Sequence, residues 1–369
     1  MTEVDDRRHM RAALDLARRG LGMVWPNPAV GCVLTDTAGR VVGRGWTQAG
    51  GRPHAETEAL RRAAGAAVGG TAYVSLEPCS HHGQTPPCAE ALIAAGVRRV
   101  VIACSDPDPR VSGKGIARLK AAGLAVTVGV HETEARELNA GFFHRIRDRR
   151  PLVTLKVATT LDGRIATHRG ESQWITGPRS RQMGHVLRAT HDGIIIGVGT
   201  AAADNPQLTC RLPGLESHSP VRIVLDGRLR LPLTLKLVAE AKLAPTWLVT
   251  LRGEQSGRRQ AYLDSGVEII EVEPDEAGYP NLADAMAEFA KRGLTRLLAE
   301  GGSRIASALL SADLVDRLVW FRAPAIMGGD GVPATQPFGV DRLAEMARFT
   351  RVSVAESGDD LMEIYRRKD

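Results

Sequence analysis

The sequence lacks the features of a membrane protein or of a secreted, disulfide-stabilised domain. No apolar run in its 369 residues is long enough to span a bilayer, and residues 1–20 begin with acids and carry no apolar signal segment. The five cysteines are odd in number and irregularly spaced, unlike a disulfide framework. Aromatic residues make up only 4% of the chain. These absences predict a cytoplasmic α/β protein rather than a membrane protein or a β-sandwich.

A strong excess of one charge is also missing. The formal net charge is +6, and the arginines are spread along the chain rather than clustered. This pattern gives little support to a nucleic-acid surface. A phosphate on a substrate or cofactor would explain the mild basic excess equally well, and so would an ordinary solvated surface.

Length and patterning predict two domains. Predicted strands and helices alternate along the chain, which favours α/β architecture with helices covering a sheet. The charged, helix-patterned segment 131–150 ends before Pro151 and is the best boundary. We predict one domain over residues 1–148 and another over 149–369, with no internal repeat. The second domain begins with a strand and ends with a hairpin over 351–367.

Four residues of the first half predict a catalytic zinc site. His54 and Glu56 lie in "RPHAETEAL", and Cys79 and Cys88 follow in "SLEPCSHHGQTPPC". One histidine and two cysteines leave a fourth coordination position open, as in catalytic rather than structural zinc sites. A carboxylate beside the metal can move protons between water and a leaving nitrogen, and Glu56 has the chemistry for that task.

Alternatives to this zinc site remain open on the residues alone. Zinc deaminases carry H-x-E followed by P-C-x-x-C, whereas eight residues separate the two cysteines here, which predicts a surface loop between them. A closed structural site would recruit His81 or His82 as fourth ligand and leave Glu56 without a role. Taken singly, Glu56 could be a first-turn helix acid and the cysteines buried apolar residues.

The second half contains no G-x-G-x-x-G turn between a strand and a helix, so a Rossmann domain is not expected. It has three other glycine-rich turns, "IIIGVGT", "AEGGSR" and "IMGGDG". In the second, a predicted strand leads through two glycines to a predicted helix, where backbone N–H groups can bind a phosphate. Ser303 is a candidate N-cap of that helix.

The motifs "PNPAVGCV", "HAE", "YVSLEPCSHHGQTPPC", "DPDPRVSGKG", "KVATTLDGRIA", "ESQWIT" and "LLAEGG" together resemble the bifunctional riboflavin-biosynthesis deaminase/reductase family over nearly the whole chain. The resemblance implies a cytidine-deaminase-like α/β/α domain followed by a dihydrofolate-reductase-like α/β domain. It implies zinc and NADPH as cofactors. The implied substrate is a small phosphoribosylaminopyrimidine, which loses its 2-amino group before its ribosyl part is reduced to ribityl.

The resemblance also assigns roles to residues of the deaminase half. It implies that His54, Cys79 and Cys88 bind zinc, that Glu56 moves the proton, and that Asn27 orients the pyrimidine. The alternative for Asn27 is a turn residue between prolines. Position 84 is Gln where relatives often carry a basic residue facing the substrate phosphate. Arg110, Lys114 or an arginine elsewhere in the chain is the candidate to replace that charge.

In the reductase half, the resemblance implies two groups of residues. The cofactor group is Ala158, Trp174, Thr200, Asp204, Gly302, Ser303, Arg304, Ile305, Ala306, Ser307 and Ala308. The substrate group, with Asn27 of the first half, is Lys156, Ser172, Arg188, Leu208, Arg211 and Glu300. Lys156 interrupts an apolar strand, which is costly unless the cation has a partner, and the family pattern pairs it with Glu300. A buried ion pair without a catalytic role is the alternative.

Arg188 and Arg211 are suited to clamp a phosphate, because a guanidinium binds its oxygens in a bidentate manner. Each could equally be an ordinary surface arginine. Two other functions remain open on sequence alone: a zinc deaminase of nucleic-acid bases with an accessory domain, and a non-enzymatic protein with a structural zinc. We expect neither a nucleic-acid nor a membrane partner. The sequence is compatible with a homo-oligomer.

Overall fold

The computed structural model describes residues 2–81 and 86–368, and the chain divides into two units, Met1–Arg149 and Arg150–Asp369. Within those described ranges, no helix is both long enough and apolar enough to cross a membrane. Each unit has its own sheet with helices packed against it. The prediction of an α/β fold is therefore confirmed.

The described part of the first unit forms a five-stranded sheet in the order β2-β1-β3-β4-β5, in which β1 is antiparallel to both neighbours and the last three strands are parallel. The strands are β1 Gly31–Thr35, β2 Val41–Trp46, β3 Thr71–Val74, β4 Arg99–Ile102 and β5 Ala125–Val128. The helices are α1 Glu3–Ala17, α2 Ala55–Ala63, α3 Cys88–Ala94, α4 Lys114–Ala121, α5 Glu132–Leu138 and α6 Ala140–Arg147. Strands β1, β3 and most of β4 are buried, because helices cover both faces of the sheet.

The backbones of helix α2 and strand β2 approach each other closely, because two glycines of β2 face the helix. A Cβ atom at Gly43 would overlap the Ala59 carbonyl oxygen, and one at Gly45 would overlap the Ala55 carbonyl oxygen. No other residue type fits at these positions without moving the helix. The first turn of α2 is thus held in a fixed place against the sheet.

The charged segment 131–150 forms two helices instead of the continuous helical pattern that we predicted. The break lies at Asn139, which is buried. Its side-chain Nδ2 donates to the Ala29 carbonyl oxygen at 3.0 Å, and its Oδ1 accepts from the Ala29 N–H at 2.9 Å. This pairing with a distant peptide group decides where the first helix ends.

In the described part of the second unit, nine strands form one sheet in the order β11-β10-β9-β8-β12-β6-β13-β16-β15. Neighbours from β11 to β13 are parallel, and β16 and β15 add an antiparallel edge. The strands are β6 Leu152–Thr159, β8 Gly193–Gly197, β9 Val221–Leu225, β10 Thr246–Leu251, β11 Glu268–Val272, β12 Arg296–Glu300, β13 Arg317–Arg322, β15 Phe349–Ser357 and β16 Asp360–Arg367. Strands β7 Arg164–Ala166 and β14 Val332–Pro333 pair separately.

The helices of this unit are α7 Pro178–Ala189, α8 Val198–Asp204, α9 Lys236–Ala239, α10 Arg259–Asp264, α11 Leu282–Lys291 and α12 Ser303–Ser311. The predicted terminal hairpin is confirmed as β15 and β16. Helix α8 was not predicted, because its sequence begins inside the glycine-rich turn "IIIGVGT". The carboxyl ends of the parallel strands meet at one edge of the sheet, which is where α/β proteins bind ligands.

Strand β15 is one of the two edge strands of this sheet, the other being β11, and residues 350–356 are all exposed. The pairing of β15 with β16 shifts by one residue between Arg351 and Ser353, so that Val352 has no counterpart on β16. This irregularity is a β-bulge.

Candidate active sites

The three predicted zinc ligands come together at the starts of two helices. His54 is the N-cap residue of α2, Cys88 is the first residue of α3, and Cys79 lies in the segment between β3 and α3. The Nδ1 atom of His54 lies 3.3 Å from Cys88 Sγ and 3.8 Å from Cys79 Sγ, and all three donor atoms lie within 4.8 Å of one another. One imidazole and two sulfurs form a donor set that suits zinc.

Electrostatics at this cluster already favours a thiolate. Hydrogen bonding from the Cys88 thiol, together with His54 and the Cys88 backbone N–H, lowers the pKa of Cys79 to about 4. The pKa of Cys88 is raised, because its proton is held in the bond to Cys79 and the sulfur is buried. A bound metal would take the place of the protons, since zinc ligands must be deprotonated.

Glu56 lies beside the three donors, in the first turn of α2, the helix that His54 precedes as N-cap. Its side chain is 3% exposed, and burial together with the nearby Cys79 charge raises the pKa of its carboxyl to about 7. It interacts with Cys88, but it is not a member of the donor cluster. A carboxyl with such a pKa can take up and release a proton near neutral pH.

The remaining deaminase predictions have mixed outcomes. Asn27 is partly buried and packs against Gly51, where a Cβ atom would overlap its side-chain amide. His81 is exposed and is not among the clustered donors, while His82 and Gln84 lie outside the described residues. The Arg110 guanidinium forms a bidentate ion pair with Asp108, and Lys114 donates to the Pro109 carbonyl oxygen. Both candidate phosphate cations therefore have partners already.

Sequence reasoning missed Glu77, which lies two residues before Cys79. This buried carboxylate accepts from three backbone N–H groups, those of Asp106, Gly113 and Ile116. It thereby joins the Cys79 segment to the loop before α4. The position next to "PC" was the available signal, but its partners lie about thirty or more residues away in the chain.

In the second unit, an ion triad connects β6, α7 and β12. Lys156 and Glu300 lie opposite each other in paired strands, with 4.0 Å between Nζ and Oε2. Arg188 of α7 binds both Glu300 oxygens, at 2.9 and 3.0 Å. Burial raises the pKa of Glu300, but the charges of Arg188 and Lys156 outweigh it and lower the pKa to about 2. Glu300 is therefore ionised at every physiological pH.

The triad changes the interpretation of Arg188. The sequence suggested a phosphate clamp, yet the structure directs its guanidinium to Glu300 and to the Thr209 carbonyl oxygen at 3.3 Å. His185, which sequence reasoning missed, lies one turn earlier on α7, and its Nδ1 accepts from the Arg211 N–H at 3.3 Å. Burial, with the charges of Arg188 and Arg211, lowers the pKa of His185.

The predicted cofactor segment lies where β12 ends and α12 begins. The N-cap is Gly302, and its N–H donates to Thr200 Oγ1 at 3.3 Å, so two predicted cofactor positions meet here. The prediction that Ser303 caps the helix is wrong: Ser303 is the buried first helical residue, because a glycine already occupies the cap. The backbone N–H groups in the first turn of α12, which follows two glycines, are suited to bind a phosphate of NADPH.

Only part of this segment can face a cofactor. Arg304 and Ala308 are exposed, whereas Ile305, Ala306 and Ser307 are buried. The Ser307 hydroxyl exchanges hydrogen bonds with the Gln336 backbone at 2.7 and 2.9 Å. The buried side chains of Ile305, Ala306 and Ser307 therefore contribute to packing.

The remaining residues that were predicted to bind cofactor or substrate differ in their exposure and in the contacts they make. Ser172 and Ala158 are half-buried, and Trp174 is 67% exposed beneath the Arg181 guanidinium, 4.9 Å from its ring centre. Asp204 ends α8 and is exposed, as is Arg211, whose Nη1 donates to Gln207. The Leu208 side chain belongs to the core, so contact with a substrate is left to its backbone.

Comparison with known proteins adds two family matches. Residues 151–362 match the RibD C-terminal domain, and residues 3–104 match the cytidine and deoxycytidylate deaminase zinc-binding region. The riboflavin biosynthesis protein RibD of Aquifex aeolicus is 40% identical over 98% of each chain. RibD of Escherichia coli is 39% identical over 97% of this chain and 98% of its own.

Solved structures agree with these relatives. Acinetobacter baumannii RibD covers 100% of both chains with a TM-score of 0.89 and 37% identity. A Thermotoga maritima protein covers 99% of both chains with a TM-score of 0.86 and 32% identity. The predicted order, a zinc-dependent deaminase followed by an NADPH-dependent reductase, is confirmed by these matches. The chain therefore belongs to the RibD family, the bifunctional deaminases and reductases of riboflavin biosynthesis.

Proposed function

We propose that the chain hydrolyses the 2-amino group of 2,5-diamino-6-(5-phosphoribosylamino)pyrimidin-4(3H)-one and then reduces the ribosyl group of the product to ribityl. The Thermotoga maritima protein is described as a diaminohydroxyphosphoribosylaminopyrimidine deaminase and 5-amino-6-(5-phosphoribosylamino)uracil reductase, which supports this substrate. The observation that carries the proposal is the His54, Cys79 and Cys88 cluster with the buried Glu56 beside it.

In the deaminase, we assign zinc to His54 and to the thiolates of Cys79 and Cys88. When bound, zinc supplies a Lewis acid that makes water nucleophilic at neutral pH. Glu56 accepts the proton that water loses and passes it to the leaving nitrogen, so that one water is consumed and one ammonia is released. Asn27, held against Gly51, orients the pyrimidine.

In the reductase, NADPH supplies the hydride when bound. We assign its phosphates to the first turn of α12 and to Thr200, and its remaining contacts to the predicted positions around them. Lys156 and Arg188 are held by Glu300, and the Lys156 ammonium orients the ribosyl oxygen and stabilises charge on it. Ser172, Arg211 and the Leu208 backbone complete the substrate site, with Arg211 binding the phosphate.

We assign the deaminase to residues 1–148 and the reductase to residues 149–369. The substrate is a small molecule, and the dispersed arginines support neither a nucleic-acid nor a membrane partner. A cytoplasmic location and a homo-oligomer stay predictions.

The experiment that tests this function measures bound metal, ammonia and NADPH on one preparation of the chain. We expect one zinc per chain, ammonia released from the diaminopyrimidine phosphate without NADPH, and NADPH oxidised only after substrate is added. Cys88→Ser is the matched control, because it removes a zinc ligand and should stop ammonia release. Ammonia release by zinc-free protein, or absence of substrate-dependent NADPH oxidation, would contradict the proposal.

A further inference from the structure

One buried carboxylate connects the terminal hairpin to helix α7. Asp360, the first residue of β16, is 3% exposed, and its Oδ2 accepts from the Gly177 N–H at 2.7 Å and from the Ser180 hydroxyl at 2.6 Å. The Ser180 hydroxyl also lies 3.0 Å from Oγ of Ser357, the last residue of β15. A buried carboxylate is stable only with such donors, so these contacts fix the start of α7 relative to the hairpin.

Helix α7 has no capping group of its own. Gly177 is the N-cap residue and has no side chain to accept from the first turn, and Pro178 at the first helical position has no N–H. A negative charge near a helix N-terminus interacts favourably with the helix dipole. Asp360 supplies that charge from 183 positions away in the chain.

Helix α7 in turn holds groups that belong to the reductase site. Near its start, Arg181 donates to the Thr176 carbonyl oxygen at 2.8 Å and covers the Trp174 ring. Near its end, Arg188 binds Glu300. A shift of the helix start therefore moves the loop of residues 171–176, here named the Trp174 loop, relative to the ion triad.

We propose that Asp360 is a positioning residue of the reductase, which fixes α7 and thereby holds the Trp174 loop in the place that NADPH requires. This inference rests on the proposed function, because Trp174 and Arg188 take their roles from it. Among the described residues, Asp360 forms no hydrogen bond or ion pair with Trp174, Arg188 or Glu300, so its effect passes through Gly177, Ser180 and Arg181.

Asp360→Asn in the full chain tests the role, since it keeps the shape and removes the charge. We expect the KM and the Kd for NADPH to rise about tenfold, as for the loss of one charge-assisted hydrogen bond. The kcat should change less than about threefold. Ammonia release by the same preparation should be unchanged, because the deaminase has its own sheet and core.

Two further variants test whether the rise in the KM for NADPH depends on the contacts of Asp360. Ser180→Ala removes one of the two donors and should raise the KM for NADPH in the same direction but less. Asp359→Asn is the matched control, because Asp359 is the exposed neighbour in the same turn, and it should leave the KM unchanged. An equal effect of Asp359→Asn would overturn the proposal, since it would indicate a general charge effect.

Trp174 fluorescence separates positioning from stability alone. Acrylamide quenching, with Trp174→Phe in each background to isolate this residue, should change in Asp360→Asn and not in Asp359→Asn. A lower Tm with unchanged KM, Kd and quenching would overturn the proposal. If Asp360→Asn does not fold, Ser180→Ala decides by the same readouts. Failure of the wild-type chain to oxidise NADPH with substrate would instead contradict the proposed function.

Discussion

The two sites of this chain are built in opposite ways. The zinc cluster uses three donor atoms from residues 54 to 88, two of them at helix starts and the third in a connecting segment, all within 4.8 Å of one another. The reductase triad joins Lys156, Arg188 and Glu300, from three elements spread over about two-thirds of the second unit. A metal site is specified by a few donor types at close range, whereas a site for an extended organic cofactor is specified by the placement of backbone elements.

The largest effect confined to one of the two sites is expected from Glu56→Gln. We expect ammonia release to fall by roughly 10²–10⁴-fold, because the proton acceptor is lost. Zinc content should stay the same, since Glu56 is not among the clustered donors, and reduction of the deaminated substrate should continue. Glu58→Gln is the control, because Glu58 lies in the same helical turn and is also buried but pairs with Arg61 and Arg62. Deamination at the normal rate by Glu56→Gln would refute the assignment.

The corresponding change in the reductase is Glu300→Gln. It leaves Arg188 and Lys156 without their anion, and breaking a buried ion pair on one side typically costs about 3–5 kcal/mol. We expect kcat/KM for NADPH oxidation to fall about a hundredfold, while ammonia release stays normal. Glu271→Gln, which breaks the half-exposed pair with Arg259, should cost less than about 1 kcal/mol and spare both activities. Equal losses in the two variants would show that the triad has no special role.

Backbone placement can be tested in the deaminase as well. In Gly45→Ala, the added methyl group overlaps the Ala55 carbonyl oxygen and must push the start of α2 away from β2, at a cost of about 1–3 kcal/mol. Because this turn carries His54 and Glu56, we expect zinc retention and ammonia release to fall about tenfold. Gly257→Ala, with open space around the glycine, is the control. Unchanged zinc affinity in Gly45→Ala would mean that the helix can shift freely.

The smallest effect concerns stability rather than activity. His191 is buried in the second unit, its Nδ1 lies 2.6 Å from the Leu187 carbonyl oxygen, and its Nε2 lies 2.9 Å from the Thr154 hydroxyl. Burial, aided by Arg296, lowers its pKa to about 3. The folded state therefore holds the neutral ring, and its stability contribution is complete above the unfolded pKa of about 6.5 and is lost as pH falls from there towards 3.

Urea unfolding of the second unit measures this loss. Between pH 7 and pH 5, we expect the free energy of unfolding to fall by about 2 kcal/mol through His191. His191→Gln cannot be protonated, so its free energy of unfolding should depend less on pH over the same range. The same pH dependence in both proteins would exclude His191 as the cause.

The sequence predicted what depends on residue type and short spacing. The donors His54, Cys79 and Cys88 come together as expected, and the predicted terminal hairpin is present. Prediction failed where a distant partner decides the outcome. Asn139 ends a helix by pairing with Ala29. The ion pair between Arg188 and Glu300 also depends on a distant partner, and the role of Arg188 in binding substrate stays a prediction.

The prediction that Ser303 caps α12 failed for a different reason, which lies in the neighbouring residue. Serine is the usual capping residue, but Gly302 directly before it permits the close approach to Thr200, and the helix starts one residue earlier than a cap at Ser303 would require. Asp360 could not be found at all, since nothing near it in sequence identifies Gly177 as its partner. Long-range contacts of this kind are set by the sheet order, which local patterns do not encode.

The bulge in β15 has a consequence for how the protein behaves at high concentration. A free edge of nine residues offers unpaired N–H and C=O groups on which another chain could assemble, and Val352 and Val354 add exposed apolar surface. The extra residue Val352 interrupts the regular spacing of those backbone groups. The strand also carries the charged side chains of Arg351 and Glu356. We therefore expect the irregular strand to hinder the assembly of another chain on this edge.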